Sequence, residues 1–441
     1  MEERESMKKL DSFMVNRRQA IAAAFGGAAA LALAACGGSN TGASTNGDTA
    51  SGEAGKIKVG LICLHDENST YDLNFIKGFK ETCEKMQIGS EGTDFLIKTG
   101  IPESNECYDA AAELADAGCK LIFADSFGHE DYMIQAAKEF PEVQFCHATG
   151  TKAHTENLDN YHNAFAAIYE GRYLAGVAAG LKLKEMIDEG KITADKAKMG
   201  YVGAFTYAEV ISGYTSFYLG AKSIVPEVTM DVTFTGSWYD QALEQEGATK
   251  LINGGCVLIS QHADSMGAPQ ACENAKVPNV SYNGSTIDSC PNTFIVSSRI
   301  NWSPYYEDAI GAVTAGKAID TDFVGTLATS SVELTEVNDN VAAKGTTEKL
   351  EEVRAQLEAG KVHVFDTSTF TVEVTDKKNA NAKVDGDGHL TSYKADVDSD
   401  AKMEGDTEVV SDGYFHESEY RSAPYFDLQI DGIKLLDTNF G

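Results

Sequence analysis

Two histidines each precede an aspartate by two residues, a spacing that could support acid–base chemistry. His129 is followed by Asp131, and His262 by Asp264. In such a pair the imidazole would act as a general base and the carboxylate would orient it. The sequence lacks the G-x-S-x-G, H-E-x-x-H, P-loop and G-x-G-x-x-G patterns that would strengthen a catalytic interpretation. We therefore predict that the protein is not an enzyme.

Aspartates near the carboxyl end of the chain form a second group with possible chemistry. They are Asp385, Asp387, Asp396, Asp398 and Asp400. Carboxylates are the ligands that Ca²⁺ prefers, but these residues lack the spacing and the closing glutamate of an EF-hand loop. We expect a solvated acidic loop here, and we assign neither a metal nor a cofactor to the chain.

The chain contains 9 cysteines, which could supply a thiol nucleophile, a metal site or disulfides. No two are spaced as C-x-x-C, and no cysteine–histidine cluster has zinc spacing. Cys63 and Cys146 lie in short apolar runs typical of strands, where a thiol packs as a small hydrophobic group. We expect the cysteines that follow Cys36 to be mostly free thiols.

The chain is long and acidic. Its 441 residues suffice for two or three domains, and 67 Asp and Glu against 36 Lys and Arg give a formal net charge of -31. Because an acidic surface repels phosphate backbones, nucleic-acid binding is disfavoured, and a neutral small molecule is favoured over an anion. Hydrophobic residues make up 43% of the chain, so most of it should fold.

Short apolar runs alternate with helical segments, which is the pattern of βαβ units. The first series runs from a strand at residues 57–63 to a strand at 143–146, and the pattern restarts with an Ala- and Gly-rich helix at 164–183. Such alternation predicts parallel sheets with right-handed crossovers. Two successive units predict a bilobed α/β body, with a ligand cleft beyond the carboxyl ends of the strands.

The first 36 residues have the features of a lipoprotein signal peptide. Arg17 and Arg18 precede an alanine-rich run that ends in Leu-Ala-Ala-Cys, which resembles a bacterial lipobox with Cys36 as the lipidated residue. The run is shorter than the roughly 20 apolar residues of a spanning helix. Residues 37–56 are rich in Gly, Ser, Thr and Asn and predict a flexible linker. We expect a lipid-anchored protein on the extracytoplasmic face of the cell membrane.

Three segments carry a more specific pattern. Residues 66–79 read Asp-Glu-Asn-Ser-Thr-Tyr-Asp-Leu-Asn-Phe-Ile-Lys-Gly-Phe, residues 170–179 read Glu-Gly-Arg-Tyr-Leu-Ala-Gly-Val-Ala-Ala, and residues 236–240 read Gly-Ser-Trp-Tyr-Asp. Together they resemble the basic membrane protein family, the purine-nucleoside-receptor lipoproteins of ABC importers. The similarity extends from residue 57 to about residue 366.

The resemblance implies a type I periplasmic-binding-protein fold, with two doubly wound lobes joined by a hinge. Lobe 1 is expected at residues 57–163 and 291–320, lobe 2 at 164–290 and 321–375, and a C-terminal extension at 376–441. The resemblance also implies a purine nucleoside held between the lobes and ABC permease subunits as partners. The alternative is a surface lipoprotein that senses its ligand without a role in transport.

Positions carried over from the resemblance give the expected ligand contacts. Phe75 and Phe127 are expected to stack on the base, Asp66 and Asp72 to bind its edge, and Trp238 to face the cleft. The remaining predicted ligand-binding residues are Asn68, Asn74, Asp264, Asn283, Asn301 and Trp302.

Two positions depart from the resemblance. Asn283 stands where relatives hold the sugar with an aspartate, and residues 297–302, Ser-Ser-Arg-Ile-Asn-Trp, stand where relatives place a lysine. An asparagine can bind sugar hydroxyls, but it suits an amide or a carbonyl equally well. The ligand class therefore includes a nucleobase or another flat heteroaromatic, such as a flavin, beside the nucleoside.

Overall fold

The computed structural model describes residues 57–397 and 407–437. The predicted signal peptide at residues 1–36 with Cys36, the linker at 37–56, and Asp398 and Asp400 lie outside the described residues. Within the two described ranges, none of the helices combines the length and the apolar character needed to cross a membrane.

Strands and helices alternate through most of the described chain. The strands are β1 Lys58–Ile62, β2 Phe95–Lys98, β3 Cys119–Ala124, β4 Gln144–Ala148, β5 Tyr161–Ala166, β6 Lys198–Gly203, β7 Thr229–Phe234, β8 Leu258–His262, β9 Asn279–Tyr282, β10 Phe294–Ile300, β11 Asp322–Gly325, β12 Val332–Leu334, β13 Ala382–Val384, β14 Leu390–Ala395, β15 Thr407–Glu408, β16 Val410–Ser411, β17 Tyr414–Phe415 and β18 Ile433–Leu435. The α-helices are α1 Thr70–Lys85, α2 Asn105–Asp116, α3 Glu130–Glu139, α4 Ala153–Glu156, α5 Ile168–Asp188, α6 Ala208–Lys222, α7 Gln241–Asn253, α8 Gly267–Ala275, α9 Ser303–Thr314 and α10 Thr346–Glu358, with single 3₁₀ turns at Phe127–His129 and Ala194–Lys196.

The first lobe is built on a parallel sheet with the strand order β11-β5-β4-β3-β1-β2. Its central strands are buried along most of their length because helices cover both faces of the sheet. In β3, for example, all residues except Lys120 are buried. The order places β1 between β2 and β3, so the chain winds outward from β1 in both directions, as in other doubly wound sheets.

The second lobe repeats this winding. Its sheet has the order β12-β10-β9-β8-β6-β7-β18, in which β12 is antiparallel to β10 and the other pairs are parallel. The segment β10-β9-β8-β6-β7 corresponds to β5-β4-β3-β1-β2 of the first lobe. The predicted α/β fold of two doubly wound lobes is therefore confirmed.

The chain crosses between the lobes at positions that differ from the predicted boundaries. β10, within the range 291–320 expected in lobe 1, pairs with β9 and belongs to the second sheet. β11, within the range 321–375 expected in lobe 2, pairs with β5 and belongs to the first sheet. An apolar strand pattern does not reveal which of two sheets the strand joins, because both sheets are buried in the same way.

The segment after residue 375 packs on the second lobe. β18 extends the second sheet beside β7, with Ile433 opposite Met230. Phe426 is fully buried and stacks on Phe365, with ring centroids 4.2 Å apart. Short antiparallel pairs, β13-β14-β15 and β16-β17, complete this C-terminal extension.

The extension buries one carboxylic acid, Glu417. Its side chain accepts a hydrogen bond from the backbone N–H of Tyr425, and burial raises its pKa to about 8. An unfolded chain would lose this proton near pH 4.5. Between pH 4.5 and pH 8 the folded protein thus binds more protons than the unfolded chain, so the contribution of Glu417 to stability falls as the pH rises.

We predict that the free energy of unfolding of Glu417→Gln rises relative to that of the unchanged protein as the pH increases from 4.5 to 8. The expected change in the stability difference over this range is about 4 kcal/mol, because the folded carboxyl group holds its proton while the amide has no proton to lose. Urea unfolding followed by circular dichroism at both ends of this pH range measures it. A difference that is the same at both ends would contradict the prediction.

Candidate ligand-binding site

A narrow cavity lies where the carboxyl ends of the two sheets face each other. The lining residues come from both lobes, and most of them follow the end of a strand. They are Leu64, His65, Tyr71, Asp72, Ser126, Phe127, Thr149, Glu209, Trp238, His262, Asp264 and Tyr282. This position is where α/β sheets bind small molecules.

The amino end of α1 places an ionised carboxylate on the first-lobe wall. Ser69 caps the helix, and its hydroxyl donates to Oδ2 of Asp72 at 2.6 Å, while the His65 N–H donates to Oδ1 at 2.7 Å. Burial raises the pKa of Asp72, but the hydrogen bonds from His65 and Ser69 outweigh burial and hold its pKa below the ordinary value. Asp72 therefore carries a negative charge at this wall.

A second aspartate lies behind Asp72. Asp125 is fully buried, and its Oδ1 accepts a hydrogen bond from the Leu64 N–H at 3.1 Å. Burial, followed by the charge of Asp72, raises the pKa of Asp125 well above its ordinary value. Asp125 is thus protonated, and the pair carries one negative charge. The Tyr71 hydroxyl donates to the backbone oxygen of Asp125 at 2.8 Å, which fixes the Tyr71 ring against the cavity.

The second-lobe wall carries two further carboxyl groups. Nε2 of His262 lies 3.3 Å from Oε1 of Glu209. Oδ1 of Asp264 accepts a hydrogen bond from Nδ2 of Asn283 at 3.1 Å. Burial, together with the nearby Asp72 and other acids, raises the pKa of Asp264 well above its ordinary value.

The His–Asp spacings seen in the sequence do not form catalytic pairs. His262 contacts Glu209 and not Asp264. His129 is fully buried with its Nε2 against the Ile101 carbonyl oxygen, whereas Asp131 pairs with Lys152. A base and its orienting carboxylate must be within hydrogen-bond reach, and neither predicted pair meets this condition.

Aromatic rings border the cavity from both lobes. Phe127 of the first lobe is 38% exposed and lies 5.1 Å, between ring centroids, from Tyr207 of the second lobe. Trp238 packs edge-on against Phe205, at a centroid distance of 4.9 Å. Partly exposed rings at the mouth of a cavity offer apolar faces on which a flat ligand can stack.

Direct hydrogen bonds join the lobes beside the cavity. The Thr70 N–H donates to the backbone oxygen of Asp264 at 3.0 Å, and Nδ2 of Asn74 donates to the backbone oxygen of Asn283 at 3.0 Å. The structure thus has the lobes in contact around the cavity, which is the arrangement that a ligand held between them would favour.

The sequence matches a family model described as "ABC transporter substrate-binding protein PnrA-like", named Bmp, over residues 60–363. This range exceeds half of the chain. The chain belongs to the Bmp family. The predicted membership is therefore confirmed, and the family consists of substrate-binding proteins of ABC transporters.

Individual relatives agree with this assignment. A purine-binding protein of Brucella abortus is 34% identical over 264 residues, which are 59% of this chain and 70% of that protein. The nucleoside-binding protein BmpA of Lactococcus lactis is 28% identical over 242 residues, which are 53% of this chain and 64% of that protein. A solute-binding protein of Aeropyrum pernix has the same fold, with a TM-score of 0.57 at 17% identity over 70% of this chain and 93% of the other.

Four of the residues predicted for this Bmp-family site line the cavity. They are Asp72, Phe127, Trp238 and Asp264. The first two come from the first lobe and the last two from the second. The structure thus brings together side chains that are far apart in the sequence.

Phe75 and Trp302 do not line the cavity. Phe75 is fully buried and stacks on Trp302, with centroids 4.3 Å apart and an interplanar angle of 26°. Tyr71, one helical turn before Phe75, lies 4.8 Å from its ring and lines the cavity instead. The expected stacking of Phe75 on a ligand does not fit this position, because the first-lobe core encloses the ring.

The predicted asparagines and Asp66 also lie outside the cavity lining. Asp66 and Asn68 are exposed and bond to each other, with Oδ1 of Asp66 accepting from the Asn68 side chain at 2.9 Å. Asn301 donates to the Ser330 carbonyl oxygen. Asn74 and Asn283 are buried behind the wall. The Asn74 side chain bonds to the backbone of Asn283 in the other lobe, and the Asn283 side chain bonds to Asp264. Neither side chain lines the cavity, so the expected direct contact with a ligand does not fit these positions.

Several lining residues were missed as ligand contacts. His65 follows β1, Thr149 follows β4, His262 and Tyr282 end β8 and β9, and Glu209 lies in the first turn of α6. The rule that ligands bind beyond the carboxyl ends of parallel strands would have found them. The motifs of the resemblance lie instead at residues 66–79, 170–179 and 236–240.

Proposed function

We propose that this Bmp-family protein captures a purine nucleoside, or a related flat heteroaromatic compound, between its lobes and delivers it to the permease subunits of an ABC importer. The observation that carries the proposal is a cavity bordered by rings from both lobes and floored by buried carboxyl groups. The relatives described as purine-binding and nucleoside-binding support the ligand class.

Physical chemistry explains why such a cavity suits a flat ring. Stacking on Phe127 and Trp238 removes a large apolar area of the ligand from water. Polar atoms at the ring edge must then find partners, because each unpaired buried group costs about 1–3 kcal/mol. Binding favours the joined lobes only to the extent that the ligand has a higher affinity for that arrangement.

The proposal includes the cellular setting predicted from the sequence. Lipid attachment at Cys36 would hold the protein at the extracytoplasmic face of the membrane, and residues 37–56 would let it reach the permease. No step of the proposed function needs a cofactor or a chemical reaction at the site.

Titration calorimetry with nucleosides, nucleobases and a flavin tests the ligand class. We expect at least one purine compound to bind with a one-to-one stoichiometry. Absence of binding by every purine and every other flat heteroaromatic in the panel would overturn the proposal.

We predict that Phe127→Ala and Trp238→Ala each weaken binding of that compound by about 10-fold to 100-fold, because each removes one stacking face. Their melting temperatures should change little, since both side chains are partly exposed. Phe75→Leu is the matched control, since it also removes a ring, at a position outside the cavity. It should leave the affinity unchanged and cost about 1 kcal/mol of stability. Loss of affinity in the control alone would restore the sequence-based assignment of Phe75.

A further inference from the structure

A series of hydrogen-bonded side chains leads from the interior of the second lobe to the cavity. Arg172 in α5 donates to the Tyr201 hydroxyl in β6 at 3.0 Å. The same hydroxyl lies 3.5 Å from Nδ1 of His262 at the end of β8, and Nε2 of His262 lies 3.3 Å from Oε1 of Glu209. Arg172 and Tyr201 are fully buried, whereas His262 and Glu209 line the cavity. A change in the buried part of this series can therefore reach the ligand site.

The direction of each hydrogen bond follows from the chemistry of the groups. A guanidinium can only donate, so the Tyr201 oxygen accepts from Arg172. The hydrogen of the Tyr201 hydroxyl then needs an acceptor, and Nδ1 of His262 is the one that the hydrogen bonds of the described residues give it. A neutral imidazole that accepts at Nδ1 carries its proton on Nε2. This Nε2–H donates to Glu209.

Two neighbours hold the His262 ring in place. The Tyr282 ring packs against it, with ring centroids 4.5 Å apart. Gly213 of α6 leaves the space that Nδ1 occupies, since a Cβ atom at this position would lie 2.7 Å from Nδ1 and 3.7 Å from the Tyr201 hydroxyl oxygen. The imidazole thus has little freedom to turn over and exchange the positions of its two nitrogens.

We propose that Tyr201 is a positioning residue for ligand binding, which fixes the tautomer of His262 and thereby the orientation of the Glu209 carboxyl group in the cavity. The inference rests on the proposed function, because it gives Glu209 a contact with the ligand. A free glutamate side chain has several rotamers, and one that is already held in a single orientation loses less entropy when a ligand binds. Tyr201 does not line the cavity and acts through His262.

Nitrogen NMR on protein with isotope-labelled histidine tests the tautomer without any ligand. At about pH 8, where histidine is ordinarily neutral, we expect His262 to carry its proton on Nε2 and to show an unprotonated, hydrogen-bonded Nδ1. In Tyr201→Phe the Nδ1 signal should shift toward that of an imidazole nitrogen without a hydrogen-bond partner. A proton on Nδ1 in the unchanged protein, or an Nδ1 signal that Tyr201→Phe leaves in place, would overturn the inference.

Calorimetry with adenosine and inosine measures the effect on binding. Tyr201→Phe should weaken binding by about 10-fold, as the loss of one buried hydrogen bond implies. Tyr214→Phe is the matched control, because the Tyr214 hydroxyl is also buried but has no hydrogen-bond partner among the described residues, and its ring lies 5.9 Å from that of Tyr201. The control should leave the affinity and the His262 signals unchanged. Equal affinities of Tyr201→Phe and the unchanged protein would contradict the positioning role.

A double variant separates positioning from a general disturbance of the lobe. If Tyr201 acts through Glu209, adding Tyr201→Phe to Glu209→Ala should weaken binding by less than about 2-fold further. Losses that simply add would show that Tyr201 affects the site by another route, and would overturn the assignment. If neither nucleoside binds the unchanged protein, the role in binding fails together with the nucleoside part of the proposed function, while the nitrogen signals still decide the tautomer.

Discussion

Replacing Arg172 by alanine is expected to lower the free energy of unfolding by about 3–5 kcal/mol. Arg172 is fully buried near the start of α5, within the second lobe. Its guanidinium donates to the Tyr201 hydroxyl at 3.0 Å and to the Ser260 hydroxyl at 2.8 Å. Alanine would leave a large cavity and several polar groups without partners.

No carboxylate of the described residues forms an ion pair with Arg172. Aromatic rings take this place, with the guanidinium carbon 5.0 Å from the Phe217 centroid and 5.1 Å from that of Tyr282. A buried cation is costly unless hydrogen bonds and ring faces replace its water. The planar guanidinium can do both at once, so Arg172→Lys should also be destabilising.

Urea unfolding of the two Arg172 variants measures this effect. Arg354→Ala is the control, because Arg354 is half-exposed and its side chain contacts only Glu358 and the Leu327 carbonyl oxygen among its hydrogen-bond partners in the described residues. That variant should lose no more than about 1 kcal/mol. A loss at Arg172 as small as the loss at Arg354 would mean that the buried contacts contribute little. Because Tyr282 lines the cavity, Arg172→Lys should also weaken ligand binding.

The alternation of strands and helices was sufficient to predict the fold class. β1 and β3 are short, mostly apolar runs bounded by polar turns, and this pattern indicates buried parallel strands. β5, with the sequence Tyr-His-Asn-Ala-Phe-Ala, was not recognised, because it has no β-branched residue and two polar ones. The pairings of β10 and β11 depend on contacts between distant segments, and local pattern carries no information about them.

The site was predicted only in part, for a reason that lies in helix geometry. Tyr71 and Phe75 share one face of α1, four residues apart. Tyr71 is nearer the amino end and reaches the cavity, while Phe75 lies one turn deeper, against Trp302. A resemblance in sequence identifies the helix but not the turn that reaches the ligand. Glu209, in the first turn of α6, and Tyr282, the last residue of β9, lie outside the quoted motifs.

The most specific segment of the resemblance, residues 170–179, has a structural role. It supplies Arg172 and also Gly176, where α5 crosses α6. A Cβ atom at Gly176 would lie 2.0 Å from the backbone oxygen of Phe217, and one at Gly220 would lie 2.1 Å from that of Tyr173. The two helices therefore touch through their backbones, and only glycine allows this distance.

Replacing Gly176 by alanine is expected to destabilise the protein by about 3 kcal/mol or more, or to prevent folding, because the clash is with main-chain atoms that cannot rotate away. The matched control is Gly311→Ala in α9, where no atom lies within 4 Å of the added carbon. The control should be stabilising by up to about 1 kcal/mol, since alanine favours helix over glycine. Urea unfolding, or the yield of folded protein if Gly176→Ala does not fold, separates the two. Equal stability of the variants would show that α5 and α6 can move apart at little cost, and the close crossing would then not explain the glycine.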